Sequence, residues 1–248
     1  MLAFFGFIDP LYLLLAAPGA LFAFWAQWKV KSTFTHWSQV PAKRGYTGAQ
    51  AAAEVLRAAG VTDVKIEEVD GFLSDHYDPS SRTLRLSPAN FRGRSVAAFG
   101  VAAHEAGHAI QHATGYALLS ARSAIVPIAN IGSHLSWPIV IGGAMLAMFA
   151  PKMGALAGML VLAGICLFAL AVFFQLITVP VELDASKRAV LALNERGLLT
   201  GEEGDGARAV LNAAAWTYVA AAAAALLQLL YLVLRYGHLV GGGRSNDE

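Results

Sequence analysis

The residues best suited to chemistry lie in one short segment, His104-Glu105-Ala106-Gly107-His108. The surrounding sequence from Ser95 to Ala113 has helical periodicity, with Ser95 as a candidate N-cap and Thr114-Gly115 as a stop. Positions i and i+4 share a face of a helix, so both imidazoles can reach one zinc ion at about 2.0 to 2.1 Å. Glu105 lies one step around the helix, where its carboxylate can act on a metal-bound water. The segment therefore predicts a metal site with a general base.

The sequence around the motif favours a metal site over a pair of surface histidines. It is apolar on both sides, from Val96 to Ala103 and at Ala109-Ile110. A buried Glu105 without a partner would be costly in such surroundings. We therefore predict one zinc ion per chain at His104 and His108.

The composition places much of the chain in a lipid bilayer. Of 248 residues, 56% are hydrophobic and 14% are charged, whereas a soluble domain carries about 25% charge. Four uncharged stretches approach or exceed the roughly 20 residues needed to cross a bilayer, namely Pro10 to Trp28, Ser123 to Pro151, Met153 to Val181 and Ala209 to Leu234. The net charge of +1 offers no basic excess for nucleic acid. We predict a mainly α-helical integral membrane protein with about four transmembrane helices.

A small α+β unit is predicted between the first two spans. Thr47 to Ala59 reads as a capped helix, and apolar residues alternate with polar ones around Val64 and around Leu84. The predicted organisation is an anchor at 1–30, a cytoplasmic unit with the H-E-x-x-H helix at 31–122, a transmembrane hairpin at 123–181, a segment carrying a third metal ligand at 182–208, and a last span with a short tail at 209–248.

Basic residues near the span ends indicate the orientation, because basic loops stay cytoplasmic. One side of a four-span arrangement holds Lys29, Lys31, Lys43, Arg44, Arg122, Lys187, Arg188, Arg196 and Arg208, and the other holds Lys152, Arg235 and Arg244. The sequence therefore predicts that residues 29–122 and 182–208 are cytoplasmic and that both termini lie outside.

A third zinc ligand must come from elsewhere in the chain. His112 continues the i, i+4 series, but two helical turns place it about 12 Å along the axis from His104. The metzincin spacing fails as well, because Gln111 and Thr114 stand where that motif has glycine and histidine. A distant carboxylate, as in thermolysin-like enzymes, is the remaining arrangement.

Glu182 is the best candidate for that carboxylate. It follows the third span, and two membrane crossings separate it from His108, so both lie at the same membrane face. Asp184 is the rival, either as a ligand or as a partner that holds one of the histidines.

These residues resemble those of the YugP-like neutral zinc metallopeptidases of bacterial membranes. The matching segments are Ser74-Asp75-His76-Tyr77-Asp78-Pro79, Arg82 to Ser87, Gly93-Arg94-Ser95, Val101 to Gln111, Arg122-Ser123, Pro180 to Ala189 and Ala213 to Ala223. The resemblance implies a zincin-like peptidase unit among several spans of a bacterial inner membrane, distantly similar to the HtpX and CAAX-processing peptidases. In those relatives the third ligand is a Glu three residues before an Ala-Asp pair. Glu182 stands three residues before Ala185, but Ser186 replaces the Asp.

The implied reaction is zinc-assisted hydrolysis of a polypeptide, with Glu105 as the general base. Candidate donors to the oxyanion are His76, Tyr77, His134 and Tyr218. The strand from Arg82 to Leu86 is either an edge that pairs with an extended peptide or an internal strand.

Two other classes share these residues. A site-2-type intramembrane protease also combines H-E-x-x-H with a distant Leu-Asp, which Leu183-Asp184 imitates. Its motif lies in a long apolar span, whereas Arg92, Arg94 and His112 leave this segment too short to cross. A zinc-binding membrane scaffold would keep the ligands but has no use for Glu105.

Overall fold

Four long helices dominate the computed structural model, which describes residues 9–71 and 74–240. The elements in chain order are α1 (Pro10–Ser38), α2 (Gly48–Ala58), β1 (Lys65–Glu68), β2 (His76–Asp78), β3 (Thr83–Leu86), α3 (Pro88–Phe91), α4 (Val96–Ala113), α5 (Ala117–Phe149), the 3-10 turn Pro151–Met153, α6 (Gly154–Glu195) and α7 (Glu202–Val240). Helices α1, α5, α6 and α7 are long and apolar enough to cross a membrane. The prediction of a helical membrane protein with a small α+β unit is confirmed.

The long helices continue well past the apolar stretches that identify them. Helix α6 has 42 residues, or about 63 Å at 1.5 Å per residue, roughly twice the thickness of the hydrocarbon layer. Glu182 therefore lies on the same helix as the third apolar stretch rather than in a segment that follows it. Hydropathy marks where the apolar surface ends, while the helical backbone continues through residues with good helix propensity.

The chain divides into two compact units, each with its own core. The first comprises residues 9–24, 122–177 and 219–240 of the described chain. Its buried core contains Val140, Phe168, Val172, Tyr231 and Leu232. Small residues allow close approach of α5 and α6 there, since a Cβ at Gly132 would lie 2.6 Å from the carbonyl oxygen of Leu167.

The second unit comprises residues 25–121 and 178–218, apart from the two undescribed positions at 72–73. Its sheet has the order β1-β3-β2, with β1 parallel and β2 antiparallel to β3. Strand β3 is thus internal, so of the two alternatives for Arg82 to Leu86 the structure has the internal strand and not the edge. The sequence gives little sign of β2, because a strand of three residues is too short to show alternation.

Helix α4 begins and ends where the sequence predicts. The Ser95 hydroxyl accepts a hydrogen bond from the amide of Ala98 at 3.2 Å. After Thr114, Gly115 takes a positive φ of 66°, a conformation suited to glycine just after a helix. The Thr47–Gln50 capping box of α2 is also present. Helices α2 and α4 and strand β3 share one apolar core with the last two turns of α6, which fixes α4 beside α6.

Candidate metal centre

Two histidines of α4 and one glutamate of α6 converge in the second unit. His104 and His108 lie one turn apart, and their ring centroids are 4.8 Å apart. The Oε2 atom of Glu182 lies 3.0 Å from Nε2 of His104 and 3.5 Å from Nε2 of His108. One donor atom from each residue lies within 4.8 Å of the other two. The three predicted ligands are thus brought to one place.

This donor set fits a zinc ion. Two ligands of a tetrahedral zinc at 2.0 to 2.2 Å are separated by about 3.3 Å, and Glu182 lies 3.0 and 3.5 Å from the imidazoles. The side chain of Glu182 is 2% exposed. A carboxylate removed from water this far needs a cation beside it. Two neutral imidazole nitrogens and one carboxylate match the His2Glu set of catalytic zinc sites.

Gly107 explains how the two helices come close enough to share a metal. A Cβ at this position would lie 2.5 Å from the carbonyl oxygen of Ala185 and 3.1 Å from its carbonyl carbon. Any side chain would therefore push α4 and α6 apart. Ala185 is one turn beyond Glu182, so this contact sets the distance from Glu182 to the histidines.

Each histidine has a polar partner on the ring nitrogen that faces away from Glu182. The hydroxyl oxygen of Ser186 lies 3.1 Å from Nδ1 of His104, and Oε1 of Gln111 lies 3.0 Å from Nδ1 of His108. Ser186, at the position where the resemblance predicts an aspartate, therefore contacts His104. Neither the role of Ser186 nor that of Gln111 is apparent from the spacing of the residues in the sequence.

The surroundings of His108 raise the pKa of its imidazole above the ordinary value. Burial alone would lower the pKa of His108, but its hydrogen bond to Glu182 and the charges of Glu105 and Glu182 outweigh burial and raise the pKa. Glu105 is thus close enough to act electrostatically on this histidine. Glu105 is 8% exposed. A second buried acidic residue is therefore present near His108.

Asp184 does not join the three donor residues. Its Oδ2 accepts hydrogen bonds from Nε2 of Gln111 at 2.8 Å and from Nε of Arg188 at 2.6 Å. It therefore lies behind His108, with Gln111 between them. Of the two roles that the sequence leaves open for Asp184, the geometry favours the supporting one.

The predicted oxyanion donors lie on different elements of the chain. The hydroxyl of Tyr77 lies 2.9 Å from Nδ1 of His112, and burial followed by the charge of Asp78 raises the pKa of Tyr77. His76 is exposed at the start of β2. Tyr218 is on α7, and His134 belongs to the first unit. Tyr77 and His112 contact each other, and His112 is not one of the three donor residues found in the described chain.

The chain is similar to known membrane-protease and zinc-peptidase sequences. Residues 12–237 match a family described as "Putative neutral zinc metallopeptidase". The chain is also similar to the "Putative membrane protease YugP" of Bacillus subtilis (strain 168), with 45% identity over 224 residues, which cover 90% of this chain and 95% of that protein. No solved structure matches significantly.

Proposed function

The chain belongs to this neutral zinc metallopeptidase family, and from that premise we propose that it cleaves polypeptides at the centre formed by His104, His108 and Glu182. The convergence of two imidazoles and one buried carboxylate from separate helices carries the proposal. Family membership supports a protease role, and the four apolar helices make the chain a multi-pass membrane protein.

The donor residues and Glu105 have separate roles in the proposed peptide hydrolysis. His104, His108 and Glu182 would hold the ion, for which the family indicates zinc. When bound, zinc would supply a Lewis acid that polarises the scissile carbonyl and lowers the pKa of the attacking water to about 7. Glu105 accepts the proton of the attacking water and delivers it to the leaving amine. Burial of Glu105 beside His108 keeps this carboxylate near the reaction.

The surroundings of α4 favour this reading over an intramembrane protease. Most of α4 is buried, and Phe99, Ala102 and Ala106 belong to the core of the second unit. Among the described helices, the four that are long and apolar enough to cross a membrane do not include α4. A non-catalytic scaffold would account for the ligands but not for a buried Glu105 next to them.

The decisive experiment replaces Glu105 with Gln. The Glu105→Gln side chain keeps its shape but cannot accept a proton, so cleavage of an unstructured casein-like substrate should fall by about 10²- to 10⁴-fold. Zinc content should stay near one ion per chain, because Glu105 is outside the donor set. Glu203→Gln is the matched control, since Glu203 is also buried in the same unit but accepts a hydrogen bond from the amide of Lys43.

Two results would contradict the proposal. The first is a Glu105→Gln protein that cleaves as fast as the unaltered chain. The second is an unaltered, zinc-loaded chain that cleaves neither casein-like chains nor membrane-protein fragments, which would leave the scaffold as the better explanation.

We also propose that the chain lies in a bacterial inner membrane with the second unit on the cytoplasmic side. The excess of basic residues at 29–122 and 182–208 supports this orientation. The substrates would then be cytosolic or membrane-proximal polypeptides.

A further inference from the structure

Gln111 is fully buried, and both its amide nitrogen and its amide oxygen have hydrogen-bond partners. It is 0% exposed and follows His108 by one turn of α4. Its Nε2 donates to the carbonyl oxygen of Val181 and to Oδ2 of Asp184, both at 2.8 Å. Because both amide protons are used, Oε1 must act as an acceptor toward Nδ1 of His108, 3.0 Å away. That nitrogen therefore carries the proton, so in the neutral imidazole, the form that binds a metal, the lone pair of His108 lies on Nε2, toward Glu182.

Asp184 and Arg188 fix the amide in this orientation. Asp184 accepts from Nε of Arg188 at 2.6 Å, four residues further along α6. The same guanidinium lies 3.4 Å from the hydroxyl of Thr114 and 5.7 Å from the ring centre of Tyr116, both just beyond the end of α4. A flipped Gln111 amide would direct its oxygen at the Asp184 carboxylate and the Val181 carbonyl. The chain of contacts therefore permits one orientation.

We propose that Gln111, held by Asp184 and Arg188, is the positioning residue that selects the metal-binding tautomer of His108. The corresponding partner of His104 is the hydroxyl of Ser186, which can donate or accept and so does not by itself select a tautomer. The inference rests on the proposed zinc site and concerns metal affinity, which can be measured without a substrate. Loss of such partners typically lowers metal affinity about 10- to 100-fold.

The first test measures zinc affinity of Gln111→Leu in the full-length, detergent-solubilised chain by competition with a chelator. Affinity should fall about 10- to 100-fold, and the visible absorption of the cobalt-substituted protein should shift as His108 loses its fixed orientation. Gln27→Leu is the matched control, since it makes the same change at an exposed position of α1. Unchanged zinc affinity and an unchanged cobalt spectrum in Gln111→Leu would overturn the proposal.

If Gln111→Leu fails to fold, the test uses two variants that exchange the amide of residue 111 and the carboxylate of residue 184. Gln111→Glu still accepts from His108 but faces Asp184 with a like charge, so zinc affinity should fall. Adding Asp184→Asn restores a donor opposite residue 111 and should recover most of the lost affinity. A double variant no better than Gln111→Glu would show that the two residues do not act together. An unaltered chain that binds no zinc would instead overturn the proposed function.

Discussion

At the scale of residues, two acidic side chains two positions apart in α6 have different tasks. Glu182 is almost fully buried and contacts both histidines, whereas Asp184 is partly exposed and bonded to Gln111 and Arg188. On a helix, neighbours two positions apart point in different directions. One of them can therefore meet the histidines while the other lies behind them.

This difference predicts separate effects on metal content. Glu182→Ala removes the only carboxylate of the donor set in the described chain, so purified protein should lose most of its one zinc ion per chain. Asp184→Ala should retain about one zinc when the metal is in excess, with affinity lowered about 10-fold or more. Elemental analysis after dialysis distinguishes the two. Zinc lost from Asp184→Ala but kept in Glu182→Ala would mean that Asp184 is the ligand.

The sequence predicts part of this centre and not the rest, for a physical reason. Helical spacing alone pairs His104 with His108, and the count of membrane crossings points to Glu182. The roles of Gln111 and Ser186 depend on which faces of α4 and α6 meet. Neither periodicity nor hydropathy encodes that contact, so both residues look like ordinary polar positions in the sequence.

At the scale of elements, the approach of α4 to α6 depends on a glycine inside the motif. Gly107 faces the backbone of Ala185, where a Cβ would lie 2.5 Å from a carbonyl oxygen. Gly100, two turns earlier on the same helix, faces Ala207 with room for a methyl group at 3.7 Å. The two glycines thus differ in what surrounds them while sharing one helix.

We expect Gly107→Ala to lower both stability and zinc affinity. The methyl group cannot fit unless the helices separate, which should cost about 1 to 3 kcal/mol or more and move Glu182 away from the histidines. Gly100→Ala is the matched control and should be neutral or stabilising by up to about 1 kcal/mol through helix propensity. Thermal unfolding and chelator competition measure the two effects. Equal behaviour of both variants would show that close helix contact at Gly107 is not required.

The boundaries of the elements show where sequence reasoning is strong. Side-chain caps at Thr47 and Ser95 mark helix starts that the structure reproduces. The long helices extend beyond the uncharged stretches of the sequence, because charged residues such as those after Val181 interrupt the apolar run without ending the helix. The alternation of apolar and polar residues predicts strand β3 but does not identify the strands beside it. Its central place in the sheet is therefore not predictable from the pattern.

At the scale of the whole molecule, helix α6 contributes both to the apolar first unit and to the candidate metal centre. The apolar part of α6 belongs to the first unit, and its continuation carries Glu182 into the second unit. A single helix therefore carries both an apolar segment long enough to cross a membrane and the proposed zinc ligand. In a four-span arrangement, the chain crosses the membrane twice between His108 and Glu182. The two residues therefore lie at the same face of the membrane, whichever way the protein is inserted.

The orientation itself is testable with introduced cysteines. In a Cys166→Ser background, which removes the single native cysteine, Ser80→Cys and Lys152→Cys place exposed thiols in the second unit and in the turn between α5 and α6. The excess of basic residues on the side of residue 80 predicts that a membrane-impermeant maleimide labels position 152 in intact cells and labels position 80 only after lysis. Labelling of position 80 in intact cells, with position 152 protected, would place the centre outside the cytoplasm while leaving the crossing argument for Glu182 intact.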